Sequence, residues 1–279
     1  MTAEATTFKI IPLSLALGAE IRGLDLSGPL DGETVAALRA AWLEHLVLLF
    51  RGQALDVEAQ IRFAGYFGEP SEPRSGGGRD LDPRILLVTN IREDGRPIGV
   101  LPDGELQFHS DSAFLERPLM ATVLYAVEVP GRGGETLFAN AYRAWETLDA
   151  AQKRRLEGRH ALNVYDYATQ VKAGTLDRAG LPQAVHPVVR THPETGRKAL
   201  YVNRLMTEEI LDVPPADSAA LLDTLFAAIE RPDRVYKHSW RKSDLVIWDN
   251  RCAQHARRDF PSDRTRLMRR VGIVGDVPV

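Results

Sequence analysis

The chain has 279 residues, 44% hydrophobic and 26% charged, the balance of an ordinary globular protein with enough apolar mass for a sizeable core. Thirty-five basic against 38 acidic side chains leave a net charge of −3, so no global basic field draws it to nucleic acid or to an anionic membrane. A single cysteine, Cys252, excludes an internal disulfide, no apolar run approaches the roughly 20 residues that span a bilayer, and the opening Met1 to Thr7 lacks the regions of a secretory signal, so a reducing cytoplasm is the expected compartment.

One domain over residues 1–279 is expected, because all-β domains of this size commonly fold as one. Phe8 to Leu13 and Ala19 to Leu24 read as short strands closed by proline and glycine. Val35, Leu38 and Trp42 recur at helical spacing ahead of the apolar strand Leu46 to Phe50. Asp56 is placed to cap a second helix carrying Val57, Ile61 and Ala64 on one face. Between Gly68 and Asp82 the composition, with three consecutive glycines from Gly76 to Gly78, predicts a mobile loop suited to gating a pocket; no phosphate-binding pattern follows it.

Leu86 to Thr89, Ala121 to Val127 and Glu135 to Phe138 read as strands. A helical insertion is expected over about 144–230, with helices near Glu146 to Glu157 and Ala216 to Glu230; in the second, Leu222, Leu225, Phe226 and Ile229 form a stripe that belongs in the core. Strands return at Val235 to His238, Asp244 to Trp248 and Arg264 to Val274. Strands, an insertion, then strands closing on the earlier ones predict a mainly β fold with helical insertions, a double-stranded β-helix or jelly roll, rather than a βαβ chain.

The chemistry concentrates at His109-Ser110-Asp111. In extended chain, residues two apart point to one side, roughly 6.6 Å apart at Cα, so one metal ion can take both side chains. A histidine from a distant strand would complete a two-histidine, one-carboxylate facial triad, which leaves positions open for further ligands. His-x-Asp alone is a common accident, and a lone histidine is usually a surface or satisfied core residue. The surroundings add weight: Phe108 to Phe114, then Gly133-Gly134-Glu135-Thr136-Leu137-Phe138, then Leu245-Val246-Ile247-Trp248-Asp249-Asn250-Arg251-Cys252-Ala253-Gln254-His255. In that order, and from about Ile10 to Val274, the chain resembles the iron(II)/2-oxoglutarate dioxygenases of the taurine dioxygenase and 2,4-dichlorophenoxyacetate dioxygenase family.

The resemblance implies iron(II) bound by His109, Asp111 and His255, 2-oxoglutarate chelating it through the C1 carboxylate and C2 ketone, O2 at the remaining position, and hydroxylation with release of succinate and CO2. Halogenating relatives lack the carboxylate, so Asp111 points to hydroxylation. On the last strand, period two puts Arg266, Met268 and Arg270 on one face, with Leu267, Arg269 and Val271 on the other. Arg266 and Arg270 are then roughly 13 Å apart, able to serve neighbouring anions. A guanidinium fork suits the far C5 carboxylate. By resemblance, Arg266 holds 2-oxoglutarate with help from the Thr136 hydroxyl, and Arg270 holds an anionic group of the substrate.

Glu105 and Ser112, beside the triad, are candidates for the substrate side. Arg257, Arg258, Arg264 and Arg269 read as surface charge, Trp248 as core, Cys252 as a small packing residue, and His45, His160, His186, His192 and His238 carry no assigned chemistry. The expected substrate is a small organic carboxylate, aryloxyalkanoate-like. Taurine-type enzymes carry a substrate histidine before the triad, and none stands here between His45 and His109. A sulfonate or alkyl-sulfate substrate is the alternative. From other classes, a zinc hydrolase can use the same three ligands plus water, with no need for Arg266, and a metal-bearing sensor without turnover is the non-enzyme reading. A homo-oligomer is left open.

Overall fold

The computed structural model describes residues 8–73, 81–101, 104–166 and 180–279. Its centre is set by two strands apolar at nearly every position, Val47–Phe50 and Leu245–Asp249, both buried throughout. They pair with each other, and Leu245–Asp249 pairs on its other side with Ala121–Glu128. Around them an eight-stranded sheet runs in the order Lys9–Pro12, Ala19–Arg22, Val47–Phe50, Leu245–Asp249, Ala121–Glu128, Leu267–Ile273, Pro70–Ser71, with Leu86–Thr89 also paired to Leu267–Ile273. A second sheet of four antiparallel strands runs Val235–His238, Thr136–Asn140, Ala253–Arg257, Leu106–His109. Within the large sheet only Ala19–Arg22 and Val47–Phe50 are parallel, and the helix Gly32–His45 makes the crossover that such a pair needs.

Strand pleating sorts the core into two layers. Leu48, Phe50, Val123, Tyr125 and Ile247 face outward onto the helices, meeting Leu38 and Trp42 of Gly32–His45 and Ile61, Phe63 and Ala64 of Val57–Gly65. Their strand neighbours Val47, Leu49, Leu124, Val246 and Trp248 face the small sheet and meet Phe138, Ala141 and Tyr142. Each fully buried side chain of this size stabilises the fold by about 1.5–3 kcal/mol, so both helices are held by packing as well as by their caps. The caps are Asp31, accepting from Thr34 N at 2.7 Å, and Asp56, accepting from Ala59 N at 2.7 Å.

Two facing sheets in this arrangement make the expected jelly roll. The segment 144–230 departs from the expectation of a helical insertion. It holds the helices Ala150–Leu156 and Pro215–Ile229, but also a three-stranded sheet of His160–Val164, Gln183–Pro187 and Thr207–Ile210, and the hairpin Val189–Thr191 with Lys198–Leu200. The stripe Leu222, Leu225, Phe226 and Ile229 is core as read. The glycine run Gly76–Gly78 lies outside the described residues. Among the described residues no helix is long and apolar enough to cross a membrane.

Candidate metal centre

His109 closes the strand Leu106–His109, and His255 stands directly opposite it on Ala253–Arg257, which brings the two imidazoles to a centroid distance of 4.1 Å. Asp111 is not on that strand: the chain leaves extended geometry after His109, and Asp111 sits in a turn that continues through Ser112 at φ 60°. A turn, not the pleat assumed from the spacing, therefore brings the carboxylate back to the imidazoles. Asp111 Oδ1 lies 4.0 Å from His109 Nε2 and Asp111 Oδ2 lies 3.8 Å from His255 Nε2, both too long for hydrogen bonds. The three ligand atoms lie within 4.8 Å of one another. Two bonds of about 2.1 Å to one ion span up to ~4.2 Å, so the group can close on a single divalent ion.

The donor set is also in the right chemical form. His109 Nδ1 meets the Gln107 carbonyl at 2.8 Å, and since a carbonyl only accepts, the proton sits on Nδ1 and leaves the Nε2 lone pair facing Asp111. Burial pulls both imidazoles down, His255 to about 3 with His109 as the next cause, so both are neutral ligands at ordinary pH. Burial alone would raise Asp111, but the Arg270 guanidinium, then His255 and His109, hold it well below the carboxylate range. Behind it runs a short relay: Trp248 Nε1 donates to Asn250 Oδ1 at 2.8 Å, Asn250 Nδ2 to Thr122 Oγ1 at 3.1 Å, and Thr122 Oγ1 to Asp111 Oδ2 at 2.5 Å. Asn250 was visible in the Trp-Asp-Asn-Arg block. Thr122 was not; it sits in an apolar strand and gains its place only from being opposite Trp248.

These ligands open into a cavity of about 370 Å³ whose walls are mostly apolar, with Leu106, Phe114, Leu115, Leu119, Tyr165 and Met206 among them. Arg266 lines it at 2% exposure, and its Nη1 has no hydrogen-bond partner among the described residues. Burial, then Arg257, pulls this guanidinium down to about 9. A buried cation without a counter-ion costs several kcal/mol, so the position is built for an incoming anion. Thr136 faces the same cavity. Gly134, beside Arg266, holds φ +69°, a left-handed backbone conformation that favours glycine.

Of the other predicted residues, Arg270 reaches the cavity and pairs with Asp111 Oδ1 at 2.8 Å, and Ser112 lines the wall. Glu105 is not brought there: it is exposed and pairs with Arg258 at 2.8 Å, because Leu106 rather than Glu105 takes the inward position. Arg257, read as surface charge, is buried, lines the cavity and donates to Gly104 O at 2.7 Å. Arg269, read the same way, is half-buried over Tyr125. Trp248 is core as expected and also cavity wall, its ring 4.7 Å from His255.

A second buried group, His192, Asp249 and Cys252, also keeps its potential ligand atoms within 4.8 Å. Here the backbone N–H groups of Glu194 and Thr195 donate to His192 Nδ1, both at 3.2 Å, so the ring proton is on Nε2 and is given to Asp249 Oδ2 at 3.0 Å. Arg251 grips the same carboxylate through Nε at 2.8 Å and Nη2 at 2.7 Å.

The chain matches the family model described as "Taurine catabolism dioxygenase TauD, TfdA family" over residues 9–271. It is 34% identical to the (S)-phenoxypropionate/alpha-ketoglutarate-dioxygenase of Sphingobium herbicidovorans, covering 96% of each chain. It is 32% identical to the alpha-ketoglutarate-dependent sulfate ester dioxygenase of Pseudomonas putida, over 99% of this chain and 92% of that one. Among solved structures it is similar to a taurine dioxygenase from Burkholderia xenovorans, with TM-score 0.84, 32% identity and coverage of 98% and 91%. It also resembles AAD-2 in complex with Mn(II) and N-oxalylglycine, with TM-score 0.82, 28% identity and coverage of 98% and 99%.

Proposed function

We propose, from the premise that this chain belongs to the taurine catabolism dioxygenase TauD, TfdA family and is a 2-oxoglutarate-dependent dioxygenase, that His109, Asp111 and His255 hold iron(II) and that a small organic anion is hydroxylated. The observation that carries this reading is the convergence, in one cavity, of two neutral imidazoles, one ionised carboxylate and a buried guanidinium whose Nη1 lacks a partner among the described residues. Bound iron(II), with 2-oxoglutarate and O2, supplies the oxidising power for hydroxylation, with succinate and CO2 released.

The chain's own residues do the rest. Gln107 O fixes the His109 ring so that Nε2 is the ligand atom, and Thr122 anchors one oxygen of Asp111. Arg266 and Thr136 hold the C5 carboxylate of 2-oxoglutarate, where two donors in a dry wall bind more strongly than the same groups in water. Arg270 sits on Asp111; once that carboxylate is committed to a metal, the guanidinium is available to the substrate's anionic group. Apolar walls exclude water and fit an apolar body attached to that anion, which favours an aryloxyalkanoate-like carboxylate. A sulfate ester is the second reading, favoured by the 32% identical relative that acts on one. The reaction is placed in the cytoplasm, where iron(II) stays reduced.

Anaerobic addition of iron(II) and 2-oxoglutarate should give a weak visible charge-transfer band, and a panel of carboxylates, sulfonates and sulfates scored by succinate release should be led by aryloxyalkanoates. Absence of the band with iron(II), or activity supported by zinc alone, would overturn the metal assignment.

A further inference from the structure

Trp240 belongs to none of the patterns that mark the site in the sequence, yet it touches the site's anion end. The strand Val235–His238 pairs with Thr136–Asn140 so that His238 stands opposite Thr136, and two residues later the chain brings the Trp240 indole back toward the same threonine. Trp240 Nε1 lies 2.9 Å from Thr136 Oγ1. An indole N–H only donates, so the Thr136 oxygen is the acceptor in this bond and its own proton must point elsewhere. That hydroxyl is buried, lines the cavity together with Arg266, and donates no hydrogen bond among the described residues.

The indole is itself held. Its ring packs edge-on to His238 at 4.5 Å and 87°, and His238 is held by a hydrogen bond between Tyr236 Oη and Nδ1 at 3.1 Å, with Asp244 Oδ2 nearby at 3.4 Å from Nε2. Without an indole donor, a threonine hydroxyl on a strand rotates freely and can turn its lone pairs toward the cavity, which repels an anion. With it, the oxygen is occupied from behind and the proton faces forward.

We propose that Trp240 is a positioning residue that sets the Thr136 hydroxyl as an obligate donor, so that Thr136 and Arg266 together select an oxoacid carrying a second carboxylate over one that ends in a methyl group. The proposal rests on the reading that Thr136 and Arg266 hold the C5 carboxylate.

The test is anaerobic calorimetric titration of the iron(II)-loaded protein with 2-oxoglutarate and, separately, with 2-oxopentanoate, which lacks the far carboxylate. Trp240→Phe keeps a ring and removes the N–H; it should weaken 2-oxoglutarate about tenfold, the scale of one charge-assisted hydrogen bond, and leave 2-oxopentanoate unchanged. Thr136→Val should weaken 2-oxoglutarate similarly, and adding Trp240→Phe to it should cost little more, because both changes remove one interaction. Equal weakening of both oxoacids, or additive losses in the double variant, would show that Trp240 only packs, and overturn the proposal. Should the Phe variant fail to fold, Trp240→His retains a ring N–H and should keep more of the selectivity than Trp240→Leu; equal selectivity in the two would overturn the proposal. If Thr136→Val and Arg266→Met both leave 2-oxoglutarate affinity intact, the underlying assignment of the anion site falls instead, and the role of Trp240 with it.

Discussion

Two buried clusters in this molecule place a histidine, an aspartate and a third potential ligand within the same 4.8 Å, and they are opposite in chemical meaning. Behind His109 stands a carbonyl, Gln107 O, which accepts from Nδ1–H and leaves a lone pair on Nε2. Behind His192 stand two backbone N–H groups, which occupy Nδ1 and leave the proton on Nε2, pointing at Asp249. The carboxylates differ in the same sense. Asp111 has Thr122 and Arg270 on separate oxygens at a cavity wall, while Asp249 is clasped bidentately by Arg251, which also reaches Glu194 Oε1 at 2.7 Å. Proximity of ligand atoms is therefore not enough to make a metal site. For His109 and His192, what stands behind the ring decides whether it offers a lone pair or a proton.

The contrast is broken most sharply by removing each aspartate. Asp111→Ala should abolish stoichiometric iron(II) binding and lower succinate release by at least ~10³-fold, beyond the ~10–100-fold usual for groups behind the ligands, while the fold is retained. Asp249→Ala should do the reverse. It removes the bidentate partner of buried Arg251, leaving Glu194, and the acceptor of His192 Nε2–H, and should cost about 3–5 kcal/mol in urea unfolding, with the metal content of the folded fraction still one ion per chain. A drop in metal content on Asp249→Ala, with stability intact, would make the second cluster a metal site and erase the distinction.

The two clusters were unequally legible in the sequence. His109, Asp111, His255 and Arg266 could be named because the motifs that carry the family resemblance are linear properties of the chain. The reason given for the first pair was nonetheless incomplete, since the strand ends at His109 and a turn carries Asp111. Asp249 and Arg251 were seen only as letters of a motif, and His192 was given no chemistry, because it sits at the turn of a hairpin while its partner ends a central strand 57 positions away. Thr122, Arg257 and Trp240 owe their roles to register and burial, which no local pattern encodes. Polar core residues hid the strands of the 144–230 segment: Asn163 is fully buried on His160–Val164, where it accepts from Thr207 Oγ1 at 2.7 Å, and an asparagine there breaks the alternation expected of a strand. Glu105 failed for the opposite reason, since adjacency to the triad in sequence says nothing of which face a residue takes.

The smallest expected effect sharpens the account of Asp249 without deleting it. Burial raises its carboxyl, but hydrogen bonds from Arg251 and then His192 prevail and hold it at about 2, against ~3.9 in an unfolded chain. The folded value is the lower one, so the stabilisation is fully present above pH ~4 and is lost as pH falls through 4 toward 2. The gap corresponds to roughly 2–3 kcal/mol. Asp111 is held low as well and adds its own acid slope, so the informative quantity is a difference: urea unfolding of the native chain and of Asp249→Asn, each at pH 5 and pH 2.5. The native protein should lose about 2 kcal/mol more than the asparagine variant over that interval. Parallel losses would mean that the Asp249 carboxylate gains nothing from Arg251 and His192 on folding, and that the second cluster is held by shape rather than by charge.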